Sequence, residues 1–394
     1  MRGIEYEPRN VKEILTEMKD TSELMVDLAY SAVLFKNREI AQEVLELEER
    51  MNVLQYHARI ALMLAARSSD DAEKLVGIFQ IVGAAEKISN AAEDIAEVLL
   101  REMGLPESLR GALPEAKESV MRVTVEEDSE IAGKSLGETD LETQTGAHVF
   151  AIKRDNDWIF APQKETRVLK NDVVFCEGPE EGLRDVHLKA TREEKSYEGA
   201  VASAIEDLDR AVKAIIAMKN KAELSVGLAY SAILFENERL ASQVQVLESE
   251  TDELMQNLED WVLESACQVE NPSDLRGLIH LAISSEVISD AALEMADVTM
   301  RDMDPHPVFA EAVMESNEII AQVGVEEGSK LDSETLRSLN LETETGMHVM
   351  AVRRDEGWIY NPYAETRLEA DDTVIARGTR SGKKRLKKMA RSRS

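Results

Sequence analysis

The chain of 394 residues has few aromatic side chains and no long apolar run. Aromatic residues make up 4% of it, so its core must consist mainly of Leu, Ile, Val, Ala and Met. The absence of an apolar run of membrane-spanning length predicts that no helix crosses a bilayer. Residues 1–10 also lack the apolar centre of a signal peptide. Together these absences predict a cytoplasmic protein.

Cysteine and catalytic motifs are scarce as well. Cys176 and Cys267 are the two cysteines, and they do not occupy equivalent positions in the repeat described below. We therefore expect two buried thiols of a reducing compartment rather than a disulfide. The chain contains no Gly-x-Gly-x-x-Gly, Walker loop, His-Glu-x-x-His or nucleophile elbow. The sequence thus predicts a protein that is not an enzyme.

Basic residues are too few to balance the acidic ones. The chain has 77 acidic and 46 basic residues, which gives a net charge of -31. Salt relieves self-repulsion of this size, which indicates a salt-rich cytoplasm such as that of a halophilic archaeon. An ordinary acidic soluble protein is the alternative. In either case the body repels phosphates, and we expect no binding to nucleic acid.

What the chain does contain is an internal repeat. Residues 23–41 and 223–241 are identical at 12 of 19 positions, and residues 142–162 and 342–362 at 12 of 21. The offset is 200 in both cases, so no net insertion separates the two copies. The chain is therefore predicted to be a tandem duplication.

The first part of each copy shows helical periodicity. Apolar residues such as Met18 and Met25 recur at steps of three, four or seven, which predicts three long helices packed as an antiparallel bundle. Asp70 and Asp71 are expected to cap the third helix, and a short helix is expected at 114–119. The helices of the second copy are predicted near 203–236, 240–268 and 273–303.

The second part of each copy shows short strands and turns. In the first copy strands are expected at 123–125, 147–153, 158–160 and 173–176, and helices at 133–141 and 179–186. The pattern recurs at 323–386. The predicted fold is α+β and multidomain, with antiparallel helical bundles alternating with small β-α-β-β-β-α domains, internally duplicated.

Domain bounds follow from these patterns. They are a helical bundle at 9–119, an α+β domain at 120–189, a second bundle at 198–319, a second α+β domain at 320–386 and a basic tail at 387–394. Residues 190–197 are charged and poor in apolar side chains, which is typical of a linker.

The strand-rich part resembles the TrkA-C (RCK-C) regulatory domain of potassium transport systems. Residues 132–178 carry the resemblance: G-K-S-L, a strand ending in Ala-Ile-x-Arg, a polar turn, a proline, and an aspartate and a glycine around the last strand. The copy at 329–378 keeps Gly346 and Asp372 but reads DSETL in place of the first element. TrkA-C domains dimerise, and some bind cyclic di-AMP between two copies. The resemblance implies that one chain forms such a pseudo-dimeric pair.

The helical part is similar to PhoU, whose repeats carry a proline, Asp-Leu-Arg and, about ten residues later, Glu-Arg-Ile-x-Asp. In the second copy Pro272, residues 274–276 (DLR) and residues 286–290 (EVISD) match this pattern. The first copy reads EKISN at 86–90 and has neither the proline nor the arginine upstream. Two such repeats would supply a complete six-helix body.

Three carboxylates are candidate ligands of a divalent metal. Glu86 and Glu286 lie on the apolar faces of their helices, where an unpaired carboxylate is costly, and Asp290 shares the face of Glu286. The PhoU resemblance implies that such Glu-x-x-x-Asp pairs hold metal ions. Pairing with Arg or Lys of a neighbouring helix is the alternative. Asn90 weakens the metal interpretation in the first copy, because an amide is a poorer ligand.

Four residues are candidates for ligand contact. His148 and His348 occupy equivalent strand positions, each six residues before Arg154 or Arg354. By the TrkA-C resemblance we expect these side chains to contact the phosphates or bases of a ligand such as cyclic di-AMP. In the alternative, the arginines form structural salt bridges with acids of the adjoining turn, such as Asp155.

The C-terminal residues 383–394 hold seven basic residues in twelve and no acid. This charge, opposite to that of the body, predicts contact with anionic lipid headgroups or with an acidic partner. A solvated end of the last helix is the alternative.

These patterns predict a cytoplasmic regulatory subunit of a potassium (monovalent cation) channel or transporter, which senses a small ligand through paired TrkA-C domains. Its partner would be a membrane subunit, and it would sit at the inner face of the cell membrane through that partner or the basic tail. A metal-binding PhoU-type regulator of phosphate uptake is the second hypothesis, and an oligomeric scaffold without ligand is the third. The ligand, the transporter and self-association of the chain stay open.

Overall fold

The computed structural model describes residues 7–106, 108–109, 119–155, 157–160, 162–193, 205–301, 307–355 and 357–392. The helix expected at 114–119 lies outside these residues, except that Ser119 begins a strand. Of the expected linker at 190–197, the first two residues end a helix and the last four lie outside the description.

The elements of the first copy are α1 (Val11–Phe35), α2 (Arg38–Ala65), α3 (Ser69–Leu100), β1 (Ser119–Thr124), α4 (Leu136–Thr139), α5 (Leu141–Thr145), β2 (His148–Arg154), β3 (Asp157–Phe160), β4 (Val173–Gly178) and α6 (Glu180–Thr191). Those of the second copy are α7 (Glu206–Leu234), α8 (Glu238–Ser265), α9 (Arg276–Met300), α10 (Val308–Glu315), β5 (Ile319–Gly324), α11 (Leu336–Leu339), α12 (Leu341–Thr345), β6 (Met347–Arg354), β7 (Gly357–Tyr360), β8 (Thr373–Gly378) and α13 (Arg380–Met389). A 3₁₀ turn at Pro272–Leu275 leads into α9.

The chain divides into two compact units, and each is assembled from both copies. The helical unit consists of Met1–Ala116 and Gly199–Ser316, and the sheet unit of Lys117–Glu198 and Asn317–Ser394. The predicted alternation of helical bundles with small α+β domains, internally duplicated, is confirmed. The finer domain bounds given above stay predictions.

Asparagine and serine side chains cap the N-termini of α1, α2, α3 and α8. Asn37 and Asn237 occupy equivalent positions, and each side chain accepts hydrogen bonds from two backbone N–H groups of the following turn. The cap of α3 is Ser68, whose side chain accepts from the backbone N–H of Asp71. The cap expected at Asp70 and Asp71 was wrong, because Ser68 has the extended backbone that a cap requires and the aspartates already lie inside the first turn.

The two copies share one core in the helical unit. α3 packs against α1 and α2 of its own copy and against α9 of the other copy. The Tyr30 hydroxyl lies 2.8 Å from Ser285 Oγ of the second copy. Lys219 Nζ lies 5.4 Å from the centre of the Tyr30 ring, and Lys19 Nζ lies at the same distance from that of Tyr230. These reciprocal contacts join six long helices into one body.

Each copy contributes one four-stranded antiparallel sheet to the sheet unit. The strand orders are β1-β4-β2-β3 and β5-β8-β6-β7, and α6 and α13 pack against the first strands of their own sheets. The pairing register shifts between Val149 and Ala151 of β2 and between Val349 and Ala351 of β6, so the same bulge occurs in both copies. The predicted β-α-β-β-β-α order is confirmed.

Local bounds differ from the expectation in two places. Of the helix expected at 133–141, residues 136–139 form α4, which ends because Asp140 has φ 47°, a left-handed conformation, and a separate helix α5 begins at Leu141. β1 begins at Ser119 rather than at Val123. Val120 and Met121 are both buried, so the start of the strand lacks the alternation by which a strand is predicted from sequence.

Both cysteines are free thiols. Cys176 is buried in β4, as expected, but Cys267 is exposed. The expectation for Cys267 was wrong because α8 ends at Ser265 and is capped by Ala266, so Cys267 lies beyond the packed face of that helix.

Candidate functional site

The four residues expected to contact a ligand do not form one group. His148 is the first residue of β2 and Arg154 is the last. Because a strand rises about 3.3 Å per residue, these two residues lie roughly 20 Å apart. His348 and Arg354 are separated in the same way along β6. The histidines and the arginines therefore have different surroundings.

The arginines pair with buried aspartates. Arg154 donates from Nε and Nη2 to the two carboxylate oxygens of Asp172 at 2.9 and 2.8 Å, and Arg354 does the same to Asp372 at 2.9 and 2.7 Å. The aspartates are 1% and 0% exposed. The hydrogen bond with Asp172 raises the pKa of Arg154 above its usual value. The structural partner is thus a buried aspartate and not the turn acid Asp155, and a ligand phosphate would have to compete with it.

The histidines lie at the other end of the strands, each beside a glutamate. His148 Nδ1 lies 3.1 Å from Glu142 Oε1, and the equivalent distance in the second copy is also 3.1 Å. Burial lowers the pKa of His148, but Glu142 and, less strongly, Glu318 and Glu177 raise it, to about 9 in all. The ring is therefore cationic at neutral pH and offers two N–H donors.

The two halves of this histidine region carry unequal charge. Across the strand pair, His148 faces Glu177, whereas His348 faces Arg377. Arg377 Nη1 also lies 3.6 Å from Glu318 Oε2. The charges near His348 therefore favour binding of an anion more than the charges near His148 do.

The two small domains meet within the sheet unit through α5 and α12. Gly146 ends α5 with φ 71°, and Gly346 ends α12 with φ 66°. A Cβ on Gly146 would lie 2.9 Å from the backbone oxygen of Glu342, and one on Gly346 would lie 2.7 Å from that of Glu142. Only glycine permits both this conformation and this approach. The copies thus pair inside one chain, as predicted.

A cluster of carboxylates lies between α8 and α9 in the helical unit. One oxygen each from Glu248, Asp252 and Asp290 lie within 4.8 Å of one another. Burial and then Asp252 raise the pKa of Asp290, and burial followed by Asp290, Asp252 and Glu248 raises that of Glu286. Burial and neighbouring like charges therefore disfavour the ionised forms of these carboxylates, and a bound cation would offset both effects.

The first copy has amides at two of these four positions. Asn52 Nδ2 donates to Glu48 Oε1 at 2.6 Å, and Asn90 Nδ2 donates to Glu86 Oε1 at 3.0 Å. Within the described ranges, no Lys or Arg forms an ion pair with Glu86 or Glu286, so the expected alternative of Lys or Arg partners is not observed there. In the first copy each of these glutamates thus accepts a hydrogen bond from an amide one turn away.

The residues of the second copy fit a divalent cation, since carboxylate oxygens are the ligands that Mg²⁺ and Mn²⁺ prefer. Glu286 and Asp290 were predicted from sequence, whereas Glu248 and Asp252 were missed. Their spacing of four residues on one face of α8 was the available signal, but only the packing of α8 on α9 shows that the two pairs meet.

Comparison with protein families accounts for most of the chain. The model of the TrkA-C domain matches residues 120–189 and 320–391, and the model of the PhoU domain matches residues 15–99 and 215–299. In the part of the chain that the structure describes, no helix is both long and apolar enough to span a membrane.

Individual proteins resemble parts of the chain. The probable potassium channel protein 2 of Methanocaldococcus jannaschii is 33% identical over 63 residues, which are 16% of this chain and 18% of the channel protein. The chain therefore spans less than a fifth of that relative's length. PhoU from Pseudomonas aeruginosa aligns with 74% of this chain and 96% of its own (14% identity, TM-score 0.41), and the RCK domain of GsuK with 70% and 63% (12% identity, TM-score 0.18). At these TM-scores neither likeness bears on the fold.

Proposed function

Because the chain is a tandem array of two PhoU domains and two TrkA-C domains, we propose that it is a regulatory protein of a membrane potassium channel or transporter. The observation that carries this proposal is the pairing of both TrkA-C domains within one sheet unit. The 63-residue similarity to a probable potassium channel protein supports the choice of cation. The role is regulatory rather than catalytic, and the mechanism is a population shift: a ligand that bridges the two domains favours one of their relative orientations.

The proposed ligand is a small anion such as cyclic di-AMP, bound between the TrkA-C domains. The histidine region supports this, because protonated His148 and the pair His348 and Arg377 offer donors to phosphate. The contribution of Arg154 and Arg354 stays a prediction, since their guanidinium groups already hold buried carboxylates.

Calorimetry with cyclic di-AMP and other adenine nucleotides in molar KCl tests the ligand. We expect binding heat that is abolished by His348→Ala and kept by the matched variant Lys164→Ala, which changes an exposed residue of the same unit. No heat with any of these nucleotides would contradict the ligand and favour a scaffold.

The proposed partner is tested by recovering membrane proteins on the immobilised chain at high salt. We expect a potassium channel or transporter subunit. A phosphate permease in its place would contradict the proposal and support the PhoU-type alternative. The protein would work in the cytoplasm at the inner face of the membrane, held there by the partner or by its basic C-terminal residues.

A second candidate function is a metal-binding PhoU-type regulator of phosphate uptake, which the carboxylate cluster of the second copy favours. Glu248, Asp252 and Asp290 would hold a divalent cation, with Glu286 beside them. The role of Glu86 stays a prediction that the amides of the first copy make weaker.

The amides of the first copy show which substitutions should remove the proposed metal site from the second copy. Asp252→Asn with Asp290→Asn gives the second copy the amides of the first, and we expect it to abolish any binding of Mn²⁺ measured by calorimetry. Asn52→Asp with Asn90→Asp should create a second site. Metal-free protein that binds no Mn²⁺ before or after these changes would contradict the metal function.

A further inference from the structure

The contacts between the two TrkA-C domains are unequal at equivalent positions of the two copies. On one side Arg385 of α13 reaches the first copy: Nη2 donates to Asp140 Oδ2 at 2.5 Å and Nη1 donates to the Thr143 carbonyl at 3.1 Å. Thr143 Oγ1 also lies 2.7 Å from Ser381 Oγ. This side thus combines an ion pair with hydrogen bonds between the copies.

The offset of 200 residues identifies the equivalent positions on the other side. Asp185 takes the place of Arg385, and Asn340 takes the place of Asp140. Glu181 takes the place of Ser381. The charge pattern of the first side therefore does not recur on the second, although the glycine contacts of α5 and α12 do.

These differences distinguish the possible pairings. Two first-copy domains paired with each other would place Asp185 opposite Asp140 twice, which repels. Two second-copy domains would place Arg385 opposite Asn340 twice, without an ion pair. Only a first copy against a second copy brings Arg385 to Asp140.

We propose that this surface selects its partner, so that each TrkA-C domain pairs with the unlike copy and pairing of like copies between chains is disfavoured. Arg385 and Asp140 are the specificity-determining residues. The TrkA-C pair of this chain therefore has two different halves. The inference depends only on the sheet unit and stands whichever ligand or membrane partner the proposed function has.

Charge reversal in the full-length protein tests the pairing. Arg385→Asp gives the second copy the residue of the first and places two carboxylates together. We expect amide hydrogen exchange in α5 and α12 to become about tenfold faster or more. The matched control is Lys384→Asp, which makes the same charge change at an exposed neighbour on α13 and should leave these helices protected.

A second substitution distinguishes an effect of charge on the pairing from a general loss of stability. Asp140→Asn in the Arg385→Asp protein removes one of the two carboxylates and keeps a residue that accepts the left-handed backbone, as Asn340 does, and we expect exchange to slow again by about threefold or more. Equal exchange for Arg385→Asp and Lys384→Asp, or no recovery in the double variant, would overturn the proposal.

A second variant serves in case Arg385→Asp does not fold. Asp185→Arg with Asn340→Asp installs the missing ion pair on the weaker side, and we expect slower exchange in α5 and α12 than in the unaltered chain. Unchanged or faster exchange in this protein would count against a pairing set by charge.

Discussion

Single residues distinguish the two PhoU repeats chemically. The amides of Asn52 and Asn90 each donate a hydrogen bond to a glutamate one turn away, whereas the second copy has carboxylates at both positions. The acids of the second copy lack such donors, and burial raises the pKa values of Glu286 and Asp290. Carboxylates with raised pKa values thus occur in both repeats, but among the described residues only the second repeat brings three carboxylate oxygens within 4.8 Å of one another.

Glu93 of α3 gives a pH-dependent prediction. Burial, followed by the charges of Glu48, Glu97 and Asp94, raises its pKa to about 7. Because the folded state binds this proton more tightly than the unfolded state, the stability of the fold falls as pH rises from about 4.5 to about 7. We expect Glu93→Gln to stabilise the protein at pH 8 by on the order of 1 kcal/mol, after allowance for solvent screening, and to have little effect at pH 5.

Thermal unfolding at the two pH values measures this difference. Glu49→Gln, an exposed change on α2, is the control and should behave alike at both. A stabilisation by Glu93→Gln that is equal at pH 5 and pH 8 would refute the assignment.

Asp372 gives a prediction about a buried ion pair. It is 0% exposed, and it accepts two hydrogen bonds from Arg354 and one from the backbone N–H of Glu369. Asp372→Ala leaves these donors without their acceptor, and we expect a loss of about 3 kcal/mol in urea unfolding. The control is Glu365→Ala, which removes an exposed pair and should cost less than about 1 kcal/mol. Similar losses for the two variants would contradict the structural role of the pair.

The sequence located these residues better than it identified their contacts. The repeat alone placed His148 and Arg154 at equivalent positions with His348 and Arg354. It did not show that Asp172 lies beside Arg154, because that contact requires β4 to pair with β2. A sequence pattern therefore indicates which side chains belong to a strand, whereas their partners depend on how the strands are ordered.

At the scale of elements, α6 and α13 show how one fold can carry two surfaces. Both helices bury an apolar face against their own sheet, but α13 exposes Lys384, Lys387 and Lys388 along its other side, and the exposed Arg391 follows the helix. The equivalent residues of the first copy are Arg184, His187, Leu188 and Thr191. The two copies thus share the packing of this helix on its sheet and differ in the side chains that the helix exposes to solvent.

This basic face predicts binding to anionic lipid. Each lysine near such a surface contributes about 1 kcal/mol, so Lys387→Gln with Lys388→Gln should weaken binding to vesicles with about 30% anionic lipid by about tenfold or more. Binding should also fall with added salt. Sedimentation with vesicles measures it, and Lys164→Gln with Lys170→Gln, which changes two other exposed lysines of the sheet unit, is the control. Equal binding by both double variants would refute the role of α13.

The break between α4 and α5 shows where prediction of an element fails. Residues 133–141 include the weak helix formers Gly133 and Gly137, yet Ser135 and Glu138 form a capping box at the start of α4. The left-handed backbone of Asp140 could not be predicted from propensity, because aspartate adopts it only where the surrounding structure requires it. Asn340 has the same conformation in the second copy. The turn at Asp140 directly precedes α5, and the turn at Asn340 directly precedes α12. These two helices contact each other.

At the scale of the molecule, charge dominates the expected behaviour in solution. A net charge of -31 opposes the compact state, and the screening length falls from about 10 Å at 0.1 M salt to about 3 Å at 1 M. We expect the midpoint of thermal unfolding to rise by several degrees between about 0.1 M and about 2 M KCl. An unfolding midpoint that does not change over this range would contradict a chain adapted to high salt.

The repeat predicted the duplication and the two kinds of domain, because a constant offset of 200 residues leaves few alternatives. The merging of the helices into one body was expected only through the PhoU resemblance. The contacts that achieve it join residues far apart in sequence, such as Tyr30 and Ser285, and no local pattern reveals them.

The chain passes between its two units three times, after Ala116, Glu198 and Ser316. Neither unit can therefore be completed while only the first copy has left the ribosome. At about 5–20 residues per second, the 200-residue offset corresponds to roughly 10–40 s during which α1 to α3 await their counterparts. The nascent half-protein must keep its apolar helix faces from aggregating over that interval, so a messenger truncated between the copies would yield a product with an incomplete helical core and an unpaired TrkA-C domain.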